Sequence, residues 1–300
     1  MQIKPNSPRA WLLAARPKTL SAALIPVAVA AALAASAPRC CWLAVALCAL
    51  FAIVMQIAAN FINDLFDYRK GTDRADRLGP ERACAQGWIS PRAMLWGIAI
   101  TLLCAAAVGL SIFTTIPQLD ADIIATLVLT GAGCMVFAFL YTTILSYAGM
   151  GDLLVVLFFG FVPCCGTYFA ATESIVGEVW LGGLICGVLI DTLLVLNNYR
   201  DRDADRLSNK RTLIVICGER FGRYLYLLCG LGAWALTWGF APRYGFLPPL
   251  CTLPYILLHL ATWRQMVRIN KGRELNLILG LTSRNMLVFG LLLAASLLLN

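Results

Sequence analysis

The 300-residue chain reads as all-α: a polytopic integral membrane protein, a bundle of nine transmembrane helices with two Asp-rich cytoplasmic loops. Three observations predict this. Hydrophobic residues make up 60% of the chain and charged residues 13%, far from a soluble average. Apolar runs of about twenty residues, the length that crosses a hydrocarbon core, recur from end to end. Lys and Arg fall in alternate loops: 22 of the 24 lie on one side, and only Arg39 and Arg243 on the other. The excess of basic residues puts that side, with the N-terminus, in the cytoplasm. No polar stretch exceeds about thirty residues, so residues 1–300 are expected to form a single transmembrane domain.

The spans follow in order. The first, roughly 17–37, has Arg16 and Lys18 before it and ends Ala35-Ser36-Ala37, like a signal peptide. Pro26 interrupts it and many spans follow, so an uncleaved first helix is expected. The second, roughly 41–63, runs directly into Asn60, Asn63, Asp64 and Asp67, then Gly71-Thr72-Asp73. The third to fifth are roughly 93–113, 122–145 and 150–172. The sixth, roughly 179–198, runs into Asn197, Asn198, Arg200, Asp201, Asp203 and Asp205. The last three are roughly 220–241, 245–266 and 276–299. The two acidic stretches close spans that run in the same direction four spans apart, which suggests a diverged parallel repeat of spans 1–4 and 5–8. Pro26, Pro163 and Pro254 should bend their helices and open space beside them.

Composition excludes several functions. The formal charge of +8 is a topology signal confined to alternate loops, so no nucleic-acid partner is implied. Most of the twelve cysteines lie inside apolar runs, where they behave as small hydrophobes, and no CxxC occurs. His259 is the sole histidine and sits in an apolar run, which excludes a histidine-based metal site.

The chemistry lies in the two acidic stretches. On a continuing helix, positions 60, 63, 64 and 67 share one face, and 197, 201 and 205 share another. Carboxylates at this spacing repel unless a cation sits between them, and hard oxygen donors suit Mg²⁺ bound together with substrate phosphates. Taken alone, either stretch could be a solvated helix end; two in matching context point to a site. Lys70, Arg77, Arg82, Arg200, Lys210 and Arg211 stand beside them as anion-binding candidates for diphosphate or acceptor. Two Mg²⁺ ions with these bases would match a diphosphate, and the apolar spans below would match a hydrocarbon tail, which together describe a polyprenyl diphosphate. Tyr141, Tyr147 or Phe159 could face an allylic cation there. Asp191 lies within the sixth span and is expected in the pocket. Asp152, at the edge of the fifth, is either a pocket residue or a helix-start cap. Asp120, Asp122, Glu173 and Glu178 are expected as solvated caps on the far side.

These residues resemble the UbiA-type intramembrane aromatic prenyltransferases, and within them the menaquinone-pathway branch that prenylates 1,4-dihydroxy-2-naphthoate. The resemblance rests on Arg16-Pro17-Lys18-Thr19-Leu20, Asn63-Asp64-Leu-Phe-Asp67-Tyr68 leading to Gly71-Thr72-Asp73, Gly79-Pro80, Gly149-Met150-Gly151-Asp152, and Asn197-Asn198-Tyr199-Arg200-Asp201 with Asp205 and Lys210-Arg211-Thr212-Leu213. It implies an enzyme of a bacterial inner membrane whose Asp64, Asp67 and Asp73 hold one Mg²⁺ and Asp201 and Asp205 a second. It further implies that Asn60, Asn63, Asn197 and Asn198 orient metal or diphosphate, and that prenyl transfer releases CO₂ and gives demethylmenaquinone. Between Tyr141-Thr142 and Tyr147 the chain has only Thr-Ile-Leu-Ser where the branch has a longer Gly/Pro-containing segment, so 4-hydroxybenzoate or homogentisate are alternative acceptors. A cation- or proton-coupled transporter is the rival of another class, disfavoured because the acids sit at one rim rather than at the midplane. Tail length and oligomeric state are not encoded in these motifs.

Overall fold

The computed structural model describes residues 3–71, 77–117, 119–143, 145 and 149–299. Every regular element among them is helical: α1 Pro8–Ala15, α2 Leu20–Ala35, α3 Trp42–Lys70, α4 Pro91–Ile112, α5 Ala121–Thr143, α6 Gly151–Val156, α7 Val162–Thr172, α8 Gly177–Leu207, α9 Leu213–Cys217, α10 Glu219–Leu236, α11 Ala241–Tyr244, α12 Leu247–Ile269 and α13 Leu275–Leu298, with short 3₁₀ and π turns between some of them. Among the described residues, seven spans are long and apolar enough to cross a bilayer: α3, α4, α5, α6 with α7, α8, α10 with α11, and α13. Counting the pair α1 and α2, bent by 57°, as one span makes eight. The expected span at 245–266 is helical as α12 but is not among these; it carries Pro254, His259, Arg264 and Arg268.

Local sequence explains the breaks. Ser7 opens α1 by accepting from Ala10 N, and Ser90 caps α4 by accepting from Ala93 N, each followed by Pro at the first helical turn. Pro26 and Pro254 stay inside α2 and α12, whereas the region before Pro163 widens into a π turn at Leu157–Phe161. Proline lacks the N–H that Phe159 would receive and its ring collides with that carbonyl, so an added residue per turn relieves both faults. The π turn leans on α8 with no side chain between. A Cβ on Gly160 would stand 2.3 Å from the Gly183 carbonyl oxygen, the close backbone approach that small residues give membrane helices.

The main core lies between α2, α7, α8 and α13, around Val29, Tyr168, Ile185, Leu189, Phe289 and Leu293. A second forms where α1 and α3 meet α4 and the turn at 83–89, and a third among α8, α9, α10, α12 and α13. His259 is a core residue as its context suggested: it is 1% exposed, stacked on Tyr226 and Tyr255 at 4.9 and 5.3 Å between centroids, with Gly230 leaving room for its ring.

At the end away from the Asp-rich stretches, Asp120 caps α5 as expected, accepting from Ile123 N. Glu173 ends α7 and Glu178 lies in the first turn of α8, as expected of caps, but both also carry ion pairs. They pair with Arg39 and Arg243, the two basic residues of that end. These pairs are half exposed and contribute at most about 1 kcal/mol each.

Candidate active site

Helices α3 and α8 are 29 and 31 residues long, about 45 Å at 1.5 Å per residue, so each outlasts a hydrocarbon core and carries its last turns beyond it. Those turns hold the Asp-rich stretches. α3 stops at Gly71 in the left-handed region (φ 67°), whose N–H meets the carbonyls of Asp67 and Tyr68. The following loop folds back over this end. Asn276 donates to Leu78 O at 2.7 Å and Arg273 to Arg77 O at 3.3 Å. Gly79 is held so close to α8 that a Cβ would lie 2.9 Å from Arg200 Nη2.

The structure brings three of the expected carboxylates and three of the expected bases together as ion pairs. Arg82 Nη2 reaches Asp67 Oδ2 at 2.7 Å. Arg200 grips Asp201 with two bonds of 2.8 and 2.6 Å and donates to Asn276 Oδ1 at 2.9 Å. Lys210 Nζ lies 3.6 Å from Asp205 Oδ1 and is also an electrostatic neighbour of Asp67, so it stands between the two stretches. Arg77 and Lys70 are further neighbours of Asp67. Arg211 is exposed, and its carbonyl packs against Gly149.

Below the ion pairs opens a cavity of about 560 Å³ between α2, α3, α4, α5, α7 and α8. Asn63 and Asn197 line its polar head; Ala, Leu, Val, Phe and Met line its body. Asn197 is steadied by donating to Leu193 O at 3.0 Å. Tyr141 stands at the junction, lining this cavity and a small polar pocket shared with Asp152, Asn198 and Lys210. Asp67, Asp152, Asp191 and Asp205 are all electrostatic neighbours of its hydroxyl. Phe137 and Phe158 stack at 3.7 Å beside it, and Phe159 lines the same wall.

Three expected site residues make their polar contacts elsewhere. Asp64 is 1% exposed, and both its oxygens accept backbone N–H groups at 2.8 Å, from Ala83 and Cys84. Asn60 lines the cavity, but its amide donates to Ala15 O at 2.9 Å and Thr19 Oγ1 at 3.1 Å, pinning the turn between α1 and α2. Asp191 does not line the cavity. Its α8 neighbours Ile190, Leu193, Leu194 and Asn197 do, and helical phase carries position 191 off that face towards α10. There its Oδ2 meets Cys229 Sγ at 3.7 Å, while Oδ1 has no hydrogen-bond partner among the described residues. Asp73 and Tyr147 lie outside the described residues.

The donor set fits a hard cation. Asp205 Oδ2 is buried with no hydrogen-bond partner among the described residues, while Asp67 and Asp201 keep 23% and 26% of their side chains exposed. Among the described residues no three His, Cys, Asp or Glu side chains gather into a metal site on their own. Sparse carboxylates of this kind suit Mg²⁺, which completes its shell with water and phosphate oxygens.

Sequence reasoning gave no role to Arg16, Thr19, Phe137 and Phe158, all of which line the cavity. Phe137 stands one helical turn before Tyr141, a spacing that could have revealed it; nothing local marks Phe158.

Acid–base pairs above a deep apolar cavity, in a bundle of helices of membrane-crossing length, define an integral membrane protein with a site shaped for an amphiphile of anionic head and apolar tail. The profile of the UbiA prenyltransferase family matches residues 23–289, and the chain belongs to that family; it is a prenyl-transferring enzyme. It is 33% identical over 297 residues to the Mycobacterium tuberculosis protein named 1,4-dihydroxy-2-naphthoate octaprenyltransferase, covering 96% of each chain. Its identity to the Escherichia coli protein of the same name is 33% over 214 residues, 70% of this chain and 69% of the relative. The fold resembles that of a UbiA homologue from Aeropyrum pernix (TM-score 0.68, 18% identity, 92% of this chain and 97% of the other). It also resembles a UbiA homologue from Archaeoglobus fulgidus solved with GPP and Mg²⁺ (TM-score 0.64, 16% identity, 95% and 99%).

Proposed function

We propose that the chain transfers a polyprenyl group from polyprenyl diphosphate to 1,4-dihydroxy-2-naphthoate, releasing diphosphate and CO₂ and giving demethylmenaquinol, the reduced form of demethylmenaquinone. The observation that carries this reading is the placement of the ion pairs Asp67–Arg82, Asp201–Arg200 and Asp205–Lys210 above the apolar cavity. The acceptor is supported by the name of the Mycobacterium tuberculosis relative, which matches 96% of the chain, and Mg²⁺ by the ligands of the Archaeoglobus homologue.

On this reading Asp67, Asp201 and Asp205 hold Mg²⁺, together with Asp73 as the family resemblance implies. Bound there with the diphosphate, Mg²⁺ supplies positive charge that stabilises the departing group. Arg82, Arg200 and Lys210 exchange part of their carboxylate contacts for diphosphate oxygens, with Arg77 and Lys70 adding charge at the rim. Asp64 holds the 83–84 turn, and so the base Arg82, in place. Tyr141, Phe137 and Phe158 present ring faces where the allylic carbon loses its oxygen. The apolar walls keep water from the cation. The acceptor carbon bearing the carboxylate forms the new C–C bond, and the C–CO₂ electron pair returns to the ring as CO₂ leaves. The rim faces the cytoplasm of a bacterial inner membrane, the nine-helix count follows if α2 and α12 also span, and residues 1–300 act as one domain.

The test is purified protein in detergent with a polyprenyl diphosphate and Mg²⁺, offered 1,4-dihydroxy-2-naphthoate and 4-hydroxybenzoate in parallel. A prenylated naphthoquinol with CO₂ release, lost in EDTA, is expected. Product from the benzoate alone would overturn the acceptor.

A further inference from the structure

The turn that joins α1 to α2 is built around an unusual backbone. Arg16 lies in the left-handed region (φ 51°, ψ 69°), a conformation that costs a non-glycine residue free energy and persists only where its surroundings enforce it. Here they do. Arg16 N donates to Leu13 O at 3.2 Å, and Thr19 Oγ1 donates back to Arg16 O at 2.9 Å. Pro17 follows and disfavours the right-handed helical alternative for the residue before it. Asn60, 3% exposed, donates to Ala15 O and Thr19 Oγ1, and Gln56 adds a bond to Thr19 Oγ1 at 3.3 Å.

The result is a cation inside the cavity. Arg16 is the one charged side chain among the described residues that line it, beside Asn63 and Asn197 at the polar head. Its Nη2 end is buried, and it is an electrostatic neighbour of Asp67. A guanidinium here meets an anion with paired donors, whereas the bases of the rim loops meet it from outside the cavity.

We propose that Arg16 binds a substrate oxyanion at the cavity head, and that Asn60 is the positioning residue that holds the turn presenting it rather than a ligand to metal or diphosphate. The inference rests on the prenyl-transfer reading, in which two substrates bring oxyanions: the donor its diphosphate and the acceptor its carboxylate.

Binding to detergent-purified protein, measured by calorimetry, separates the two. One probe is inorganic diphosphate with Mg²⁺; the other is 1-hydroxy-2-naphthoate, with 1-naphthol as the partner lacking the carboxylate. Arg16→Gln is expected to weaken one probe about 10- to 100-fold, the loss of a charge-assisted contact. Loss of diphosphate binding assigns Arg16 to the donor; loss of naphthoate but not naphthol binding assigns it to the acceptor. Arg16→Lys should recover part of that affinity. Asn60→Ala should weaken the same probe, and Asn60→Ala added to Arg16→Gln should do no further harm, since a positioning residue has nothing left to position. Wild-type affinity of Arg16→Gln for both probes would overturn the proposal, as would failure of the wild-type protein to bind either. An Asn60→Ala effect as large in the Arg16→Gln background would overturn the positioning role. Wild-type turnover of 1,4-dihydroxy-2-naphthoate is scored separately: product made while Arg16→Gln binds both probes normally refutes this inference and leaves the function standing.

Discussion

Replacing Asp64 by Asn distinguishes a carboxylate that holds the loop from one that holds a cation. The native side chain accepts two backbone N–H groups at 2.8 Å in a site 1% exposed. Asn offers one oxygen and one NH₂, so one N–H keeps an acceptor and the other faces a donor. The orphaned N–H costs about 1–3 kcal/mol, and the surviving bond loses its charge assistance, about 1 kcal/mol more. The turn at 82–89 should therefore open more easily by roughly 2–4 kcal/mol, on the order of 100-fold in the open population. Hydrogen exchange at the Ala83 and Cys84 amides, read by mass spectrometry in detergent, should accelerate by about that factor. Asp67→Asn weakens a side-chain pair with Arg82 and leaves both amide acceptors in place, so it should accelerate these amides far less. The reasoning fails if Asp64→Asn exchanges there at the parent rate, or if Asp67→Asn opens the turn equally.

Other consequences follow from the same geometry. Lys210→Met removes the cation standing between Asp67 and Asp205; donor KM should rise about tenfold or more, with little change in thermal stability because the pair is partly exposed. Arg82→Met should raise donor KM similarly and also loosen the loop, since Arg82 is buried against Asp67. Gly160→Val would drive a Cβ to 2.3 Å from the Gly183 carbonyl; the folded yield after membrane extraction should collapse, an overpacking penalty above 3 kcal/mol by the usual scale. Chelation with EDTA should abolish turnover and added Mg²⁺ should restore it, without a shift in the helical circular-dichroism signal.

Much of the fold was legible because apolar runs and loop charge are one-dimensional signals. Each expected span coincides with a helix, and the acidic ends of α3 and α8 converge as their matching context implied. What the chain order could not show is which neighbour each side chain of a polar helix end meets. Positions 60, 63, 64 and 67 share one broad face, yet their surroundings divide them: Asn60 and Asn63 line the cavity, with the Asn60 amide committed to the α1–α2 turn, while Asp64 and Asp67 meet the returning loop. Those assignments depend on where residues 15–19 and 82–84 arrive, and periodicity along α3 contains neither. Asp191 lies off the cavity face, though still an electrostatic neighbour of Tyr141, for a related reason. A carboxylate within an apolar run signals a buried group, but only the phase of α8 against α5 and α10 decides whether the group faces the cavity or a helix interface. Arg16 was visible as part of Arg16-Pro17-Lys18-Thr19-Leu20 but its role was not, because a non-glycine residue in the left-handed conformation leaves no mark in the sequence except the proline that follows it.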